Sequence, residues 1–400
     1  MAGRPNRRGL STPPADDSRA IEPVESETAD GTPVPRGKLE EGTALCLSGG
    51  GTRALLYHVG ALWRMNEMGL LPRLERISSV SGGSIVAGVL GMSWHRLEWD
   101  DDGSAVNFDP LVLRPLRAFS NRTHDIPAGV RGFFGPRSTA QEYAAALARQ
   151  LYGQRTLQDL PDRPRFVINA SNLQSTALFR FSKPYCADYR VGRIPNPQFR
   201  LADAVAASGA FPPFFAPLAL DLRAHRVVED EGNDLRFAPY TELALLADGG
   251  VYDNLGLETI YKRYRTLLVS DGGGKTEADP RPAKDWLRQP IRVMKILDLQ
   301  VRNLRYRMLI EAYRSKQRSG AYWGIRSDIA ATRAAGVLPC PLEATQKLAR
   351  LPTRLNAIPA LTQQRLINWG YASADAALRA FHVPDASPPE QFPYPRAGVG

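Results

Sequence analysis

The sequence has few of the features that mark membrane-spanning, disulfide-bonded or metal-binding proteins. No apolar run approaches the roughly 20 residues that a helix needs to cross a bilayer, and the N-terminal residues lack the apolar segment of a secretory signal. The three cysteines are far apart, and the five histidines show no ligand spacing. We therefore expect no disulfide framework, no metal site and a reducing, cytoplasmic compartment.

The charge of the chain is strongly unbalanced. Lysine and arginine total 51 against 41 acidic residues, which gives a net charge of +10. Such an excess is compatible with simple solubility, and equally with attraction to an anionic membrane surface, to nucleic acid or to acidic substrates. Net charge alone does not choose among these partners.

Composition divides the chain into four regions. Residues 1–38 are rich in Pro, Ser, Thr, Gly and charged residues and contain no aromatic residue, so we expect a disordered tail. We expect a catalytic domain over 39–275, a helical extension packed on it over 276–390, and a loose tail over 391–400.

Two short apolar runs each end on a turn rich in glycine and lead into a helical pattern. Residues 44–47 meet the triple glycine 49–51, and residues 77–80 meet Ser81 and the glycines 82–83. A strand, a helix and a second buried strand indicate an α/β fold with a mainly parallel sheet. Turns of this kind point backbone N–H groups, or one side chain, into the crevice at the carboxyl ends of the strands.

The second turn has the features of a nucleophile elbow, in which a serine lies on a strained turn between small residues. The common pattern is G-x-S-x-G, and here serine replaces the leading glycine at Ser79. Ser78 and Ser84 are rival hydroxyls. We favour Ser81 because it lies at the strand end just before two glycines, although an ordinary polar turn stays open as an alternative.

The triple glycine allows several interpretations. Gly49, Gly51 and Ala54 match a dinucleotide fingerprint, but the acid expected at the end of the next strand is missing. A phosphate-binding P-loop requires a lysine that is also missing. The remaining functional interpretation is an oxyanion hole made by the N–H groups of Gly49, Gly50 and Gly51, with Arg53 supporting either the charge or the turn. An ordinary strand-to-helix turn is the other alternative.

An aspartate at a strand end is the candidate base. Asp248 follows an apolar run and precedes two glycines, and a carboxylate beside a serine can act as its base without a histidine. Asp271 has nearly the same context and is a true competitor. Asp253 is a weaker one, because it falls within the turn that follows Asp248.

Four segments in chain order resemble the patatin-like phospholipase family. They are GGGTR at 49–53, SVSGGS at 79–84, ASGAFPPFFAP at 207–217 and ADGGVYDNLG at 247–256. Together they are far more specific than any one alone, and they cover roughly residues 44–256. The resemblance implies a patatin-like three-layer α/β/α fold with a mainly parallel central sheet, to which the pattern adds a C-terminal helical extension.

The resemblance also implies an activity. A Ser–Asp dyad would hydrolyse acyl esters of phospholipids, lysophospholipids or similar lipids, with Ser81 as nucleophile, Asp248 as base, and the 49–51 amides with Arg53 as the oxyanion element. The family pattern favours Asp248 over Asp271. No cofactor or metal is required, and we expect peripheral contact with an anionic membrane surface and none with nucleic acid. The alternatives are a Ser–His–Asp esterase using His382 and a catalytically silent lipid-binding protein.

Two further regions carry structural expectations. Residues 95–137 alternate prolines with aromatics, which predicts loops or a lid-like insertion with a short helix near 110–119. Beyond 276, apolar residues at intervals of three and four predict a long helix, with basic residues crowded between 302 and 318. We expect the apolar stripe to face the core; the alternative is an interfacial helix that contacts anionic lipid headgroups. The stripe consists of Val293, Leu297, Val301, Leu304 and Met308.

Overall fold

The computed structural model describes residues 39–124, 138–212, 215–230, 234–274, 277–286 and 288–400, together with two short strands near the N-terminus. The expected disordered tail, 1–38, lies outside the described residues apart from these two strands, which pair antiparallel. Part of the expected insertion, 125–137, also lies outside the described residues.

Strands and helices alternate in the first half of the chain, and long helices follow in the last third. The strands are β1 (Ser26–Glu27), β2 (Pro33–Val34), β3 (Glu40–Leu47), β4 (Leu74–Ser79), β5 (Arg165–Asn172), β6 (Leu178–Phe181), β7 (Tyr185–Asp188), β8 (Gly192–Pro195), β9 (Leu218–Asp221), β10 (Leu243–Asp248), β11 (Tyr264–Asp271) and β12 (Ser319–Gly324). The helices are α1 (Gly51–Glu67), α2 (Gly82–Ser93), α3 (Arg114–Ser120), α4 (Thr139–Leu147), α5 (Leu201–Ser208), α6 (Gly250–Asp253), α7 (Glu258–Tyr261), α8 (Arg288–Arg314), α9 (Leu342–Ala349) and α10 (Ala360–Phe381).

A ten-stranded sheet forms the middle layer. β12, β11, β3, β4 and β5 are neighbours and run parallel, and β6, β7 and β8 continue antiparallel beyond β5. β10 pairs antiparallel with β5 and with β9. The predicted α/β fold with a mainly parallel sheet is confirmed, since the β3–α1–β4–α2 order places buried parallel strands at its centre.

Helices cover both faces of the sheet. The larger core includes residues of α1, α2 and α10, and a smaller core under α7 and α8 includes Cys46 and Leu309. α10 crosses α1 closely: a Cβ atom added to Gly60 or Gly370 would lie within 2 Å of a backbone oxygen of the other helix, at 1.9 and 1.8 Å respectively. The C-terminal helix therefore packs directly on the helix that follows the triple glycine.

The described part of the expected lid-like insertion belongs to the core. The predicted short helix near 110–119 is present as α3 with a preceding turn of π-helix, and Phe108, Leu116 and Phe119 are buried. The last ten residues also differ from the loose tail that we expected. Phe392 and Val399 are buried there because the segment packs against α10.

The orientation predicted for α8 is wrong. Its apolar stripe faces solvent, with Leu297 59% and Leu304 60% exposed, whereas Arg302 is 6% exposed. The reason is electrostatic: the turn after β10 carries the buried carboxylate Asp253, the end of β11 carries Asp271, and a buried carboxylate needs a cation. Arg302 and Arg305 of α8 provide those cations, so the side of the helix that carries them faces inward, together with Leu309. None of the described helices has the length and apolarity that a bilayer crossing requires.

Candidate active site

Ser81 occupies the turn between β4 and α2. Its backbone has φ 50° and ψ −115°, a conformation that costs a residue with a side chain about 1–3 kcal/mol. The Ser81 N–H donates to the Ser208 hydroxyl at 2.9 Å, which braces the turn, and the side chain is partly exposed. A strained, braced and accessible serine between a strand and a helix has the geometry of a nucleophile elbow.

Asp248 lies against this serine and is 3% exposed. The Ser81 side chain is close enough to its carboxylate to lower the pKa of Asp248, and the Gly250 N–H donates to Oδ1 at 2.7 Å. Burial raises the pKa of Asp248 from 3.8 to about 7, although the Gly250 N–H and the Ser81 side chain oppose the rise. A carboxylate with a pKa near neutrality can both accept and return a proton at physiological pH.

The register of β5 explains why the two residues meet. Ile168 pairs with Ser79 of β4, and Ala170 pairs with Asp248 of β10. Both Ile168 and Ala170 also pair with β6, so β4 and β10 lie on the same side of β5. The two strands run towards each other, and their carboxyl ends meet end to end beside β5. That meeting places Asp248 next to the turn that carries Ser81.

The two glycine turns also converge. Gly82 packs so closely on Gly51 that a Cβ atom on Gly82 would lie 2.3 Å from the Gly51 oxygen. Among the described residues, the N–H groups of Gly50, Gly51 and Gly82 have no hydrogen-bond acceptor. Gly49 differs from our expectation, because its N–H donates to the Asn254 carbonyl at 3.0 Å. The sequence interpretation missed Gly82, whose place directly after the nucleophile was the available signal.

Arg53 is buried and binds residues far away in the chain. It donates to the Gly272 carbonyl, to the Thr353 hydroxyl at 2.9 Å and to the Leu351 carbonyl. The neighbouring Thr52 N–H donates to the Arg354 carbonyl at 2.9 Å. We call residues 351–354 the strap, because they cover the first turn of α1. Of the two roles considered for Arg53, these contacts favour support of the turn.

Burial affects the charge of Arg53 as well. It lowers the pKa of the guanidinium from 12.5 to about 10, with nearby Arg302 contributing in the same direction. The side chain is still a cation at neutral pH. A buried cation that binds two carbonyl groups and a hydroxyl fixes the position of the triple glycine relative to the strap.

Asp271, the rival carboxylate, lies at the end of β11, which is separated from β4 by β3. β11 and β4 are therefore two strand spacings apart, which is about 10 Å. Asp271 accepts a hydrogen bond from the Tyr322 hydroxyl at 2.8 Å. Although burial acts in the opposite direction, Arg302 and Arg326 hold the pKa of Asp271 below its ordinary value. Its position and its partners indicate a structural carboxylate.

The other rival groups are engaged elsewhere. Asp253 accepts the N–H of Glu258 at 2.7 Å and forms an ion pair with an arginine of α8. The Ser78 hydroxyl is fully buried and donates to the Gly256 carbonyl at 2.6 Å. Ser84 is also fully buried, within a cluster of serine hydroxyls. Ser81 and Asp248 are the pair that the structure brings together.

The position of His382 excludes it as a partner of Ser81. His382 lines a small cavity with Thr43 and Arg73, at the amino end of β4, whereas Ser81 follows its carboxyl end. A six-residue strand spans about 20 Å. The Ser–His–Asp alternative built on His382 is therefore wrong. Within the described ranges, no group of three His, Cys, Asp or Glu side chains is placed to hold a metal ion.

Fold and site together define an α/β protein with a serine–aspartate pair at a strand-to-helix elbow and a glycine-rich loop beside it. The model of the patatin-like phospholipase family matches residues 45–261, more than half of the chain, and the chain belongs to this family. The match includes all four sequence segments that resemble the family. No curated protein matches the chain.

Solved structures with detectable similarity share little sequence with the chain. Human GIVD cytosolic phospholipase A2 is 12% identical, with a TM-score of 0.47, and the match covers 84% of this chain and 58% of that one. VipD from Legionella pneumophila is 14% identical, with a TM-score of 0.36 and coverage of 88% and 68%. The type III effector ExoU is 13% identical, with a TM-score of 0.27 and coverage of 82% and 53%. This chain thus spans little more than half the length of the human phospholipase.

Proposed function

We propose that the protein hydrolyses carboxylic esters of lipids through Ser81 and Asp248. The observation that carries the proposal is that the strained Ser81 turn and buried Asp248 meet on one segment: the Ser81 N–H donates to the Ser208 hydroxyl at 2.9 Å, and the Asp248 N–H donates to the Ala210 carbonyl at 3.0 Å. Beside them, three glycine N–H groups have no acceptor among the described residues. Membership of the patatin-like phospholipase family supports the lipid as substrate. Phospholipids and lysophospholipids are the substrate class.

The proposed reaction has two steps. In the first, Asp248 takes the Ser81 proton while Oγ attacks the ester carbonyl carbon, and the N–H groups of Gly50, Gly51 and Gly82 bind the oxyanion. The tetrahedral intermediate collapses, the alcohol leaves with the proton from Asp248, and the acyl group stays on Ser81. In the second step Asp248 takes a proton from water, whose oxygen attacks the acyl carbonyl carbon. The bond between that carbon and Ser81 Oγ then breaks, the serine oxygen takes the proton back from Asp248, and the fatty acid leaves. These steps use protein groups and water alone.

Three variants test the proposal on a short-chain nitrophenyl ester and on phospholipid vesicles. Ser81→Ala and Asp248→Asn should each lower kcat at least about a thousandfold, since nucleophile and base act as one unit. Asp271→Asn is the matched control, because it changes a second buried aspartate that also precedes two glycines. The folded fraction of this variant should keep most of its activity.

Labelling of Ser81 by a fluorophosphonate provides an independent readout of the nucleophile. Full activity in the Ser81 or Asp248 variant would refute the dyad. Vesicle binding by the unmodified protein with neither hydrolysis nor labelling would instead support the catalytically silent alternative.

A further inference from the structure

The helix α8 is attached to the domain by a side that carries two arginines together with the buried Leu309 and Ala312. Arg305 donates to Glu258 at 3.0 Å and lies 3.3 Å from Asp253, and Arg302 donates to the Gly274 carbonyl at 3.3 Å. The exposed fractions of the two arginine side chains are 18% and 6%. A neighbouring side of this helix carries the apolar stripe, and that side faces solvent.

The exposed apolar stripe is long and continuous. Its five residues recur at intervals of four, four, three and four, so they lie on one face of the helix and extend over about 22 Å. Each is more than one-third exposed. A continuous exposed surface of this kind marks an interaction site, unlike apolar residues scattered singly. The stripe residues are Val293, Leu297, Val301, Leu304 and Met308.

The stripe lies beside the candidate active site. The turn that follows Asp248 forms α6, and α6 packs against α8. Val251 in α6 is 47% exposed, and Phe211, next to the backbone that binds Asp248, is 38% exposed. A surface that contacts the stripe would therefore also approach the opening at Ser81.

The charges around the stripe indicate what that surface is. Four basic residues of α8 are exposed, against the single exposed acid Glu311. Trp286, two residues before α8, is 83% exposed. Apolar residues flanked by basic side chains and tryptophan are typical of helices that lie in the interface of an anionic bilayer. A second copy of the chain would bring like charges together. At about 100° per residue, Arg307 and Arg314 lie beside the stripe, whereas Arg288 and Lys295 lie on the far side of the helix.

We propose that the outer face of α8 is a membrane-docking surface, which inserts its apolar stripe and Trp286 into the interface of an anionic phospholipid bilayer. The proposal rests on the proposed function only in that a lipid substrate gives the docking its purpose. Docking in this orientation would bring the ester bond of a membrane lipid to Ser81 without the protein crossing the bilayer.

Vesicle binding by an inactive protein tests the surface separately from catalysis. In the Ser81→Ala background, Leu297→Glu with Leu304→Glu places two charges in the stripe. Leu361→Glu with Phe381→Glu is the matched control, because these residues of α10 are also exposed, by 50% and 61%. On vesicles of phosphatidylcholine with phosphatidylglycerol, we expect the stripe variant to need at least about tenfold more lipid for half-maximal co-sedimentation, and the control variant less than about twofold more.

Two further measurements complete the test. With Ser81 intact, the stripe variant should keep its nitrophenyl ester hydrolysis and lose vesicle hydrolysis. Should that variant not fold, quenching of Trp286 by brominated lipids, judged by the difference from Trp286→Phe, still reports insertion of the unmodified stripe.

Several outcomes would overturn the docking surface. They are unchanged vesicle binding by the stripe variant, an equal loss in the control variant, no quenching of Trp286, or a dimer that the stripe variant converts to a monomer in gel filtration. Binding through the stripe by a protein that hydrolyses no ester would refute the proposed function and leave the docking surface standing.

Discussion

Replacing Asp248 by asparagine should remove activity and stabilise the protein at the same time. Asparagine has the same shape and can still accept the Gly250 N–H bond, but it carries no charge. In the unmodified protein, burial disfavours the ionised carboxylate, which is the form that the proposed reaction needs. The catalytic charge is thus maintained at the expense of folding stability.

The size and the sign of the effect follow from the pKa. A rise from 3.8 to about 7 corresponds to about 4 kcal/mol, at about 1.4 kcal/mol per pKa unit. Between these values the unfolded chain has lost the proton and the folded protein still holds it, so stability falls as pH rises. Below pH 4 this loss of stability is absent, and above pH 7 it has reached its full size. The free energy of unfolding of Asp248→Asn should therefore exceed that of the unmodified protein by about 2–4 kcal/mol at pH 8, and by little at pH 4.

Urea unfolding of both proteins from pH 4 to pH 8, followed by circular dichroism, measures this difference. Asp271→Asn is the control, and its stability should change in the opposite direction. Arg302 and Arg326 favour the ionised form of Asp271 and lower its pKa. Replacing Asp271 should therefore destabilise the protein by about 3 kcal/mol at pH 8. In parallel, kcat/KM of the unmodified enzyme should rise with pH through about 7. A stability difference between Asp248→Asn and the unmodified protein that does not change with pH would refute the reasoning.

Two further substitutions test the elbow and the strap. Ser81→Gly should raise the free energy of unfolding by about 1–2 kcal/mol over Ser81→Ala, because glycine adopts the backbone of this turn without strain; equal stability in urea would show a relaxed turn. Arg53→Gln should lower the free energy of unfolding by about 3 kcal/mol through its lost hydrogen bonds, and kcat should fall at least about tenfold with little change in KM. Thr353→Val removes one of the hydrogen bonds of Arg53 and should lower the free energy of unfolding and kcat by less. An unchanged kcat in Arg53→Gln and in Thr353→Val would argue against a role for the strap.

The elements around the two glycine turns could be predicted from the sequence because their signals are local. An apolar run, a glycine turn and a helical period lie within some 25 residues of each other in both cases. The meeting of Ser81 and Asp248 depends on the pairing of β4 and β10 along β5. We expected Asp248 at the terminus of a strand, without an orientation for that strand. β10 runs antiparallel, and it reaches the same point from the opposite direction.

The orientation of α8 and the contacts of Arg53 could not be predicted in the same way. Helical periodicity shows that α8 has two different faces, but which one turns inward depends on the carboxylates Asp253 and Asp271, which lie outside the helix. The contacts from Arg53 to the strap join residues about 300 positions apart, and no short pattern reports a pairing at that separation. A description of the glycine-rich loop from residues 49–53 alone therefore leaves out the strap that holds it in place.

The strap has a consequence for the moment during synthesis at which the proposed activity can begin. A ribosome releases Ser81 and Asp248 well before residues 351–354, and α10, which packs on α1, comes later still. A nascent chain that ends before the strap lacks the carbonyl of Arg354 on α1 and the partners of Arg53. We expect such a chain to hold nucleophile and base but no fixed oxyanion donors. The proposed lipid hydrolysis would then stay absent throughout translation until the late residues have folded back onto the early ones.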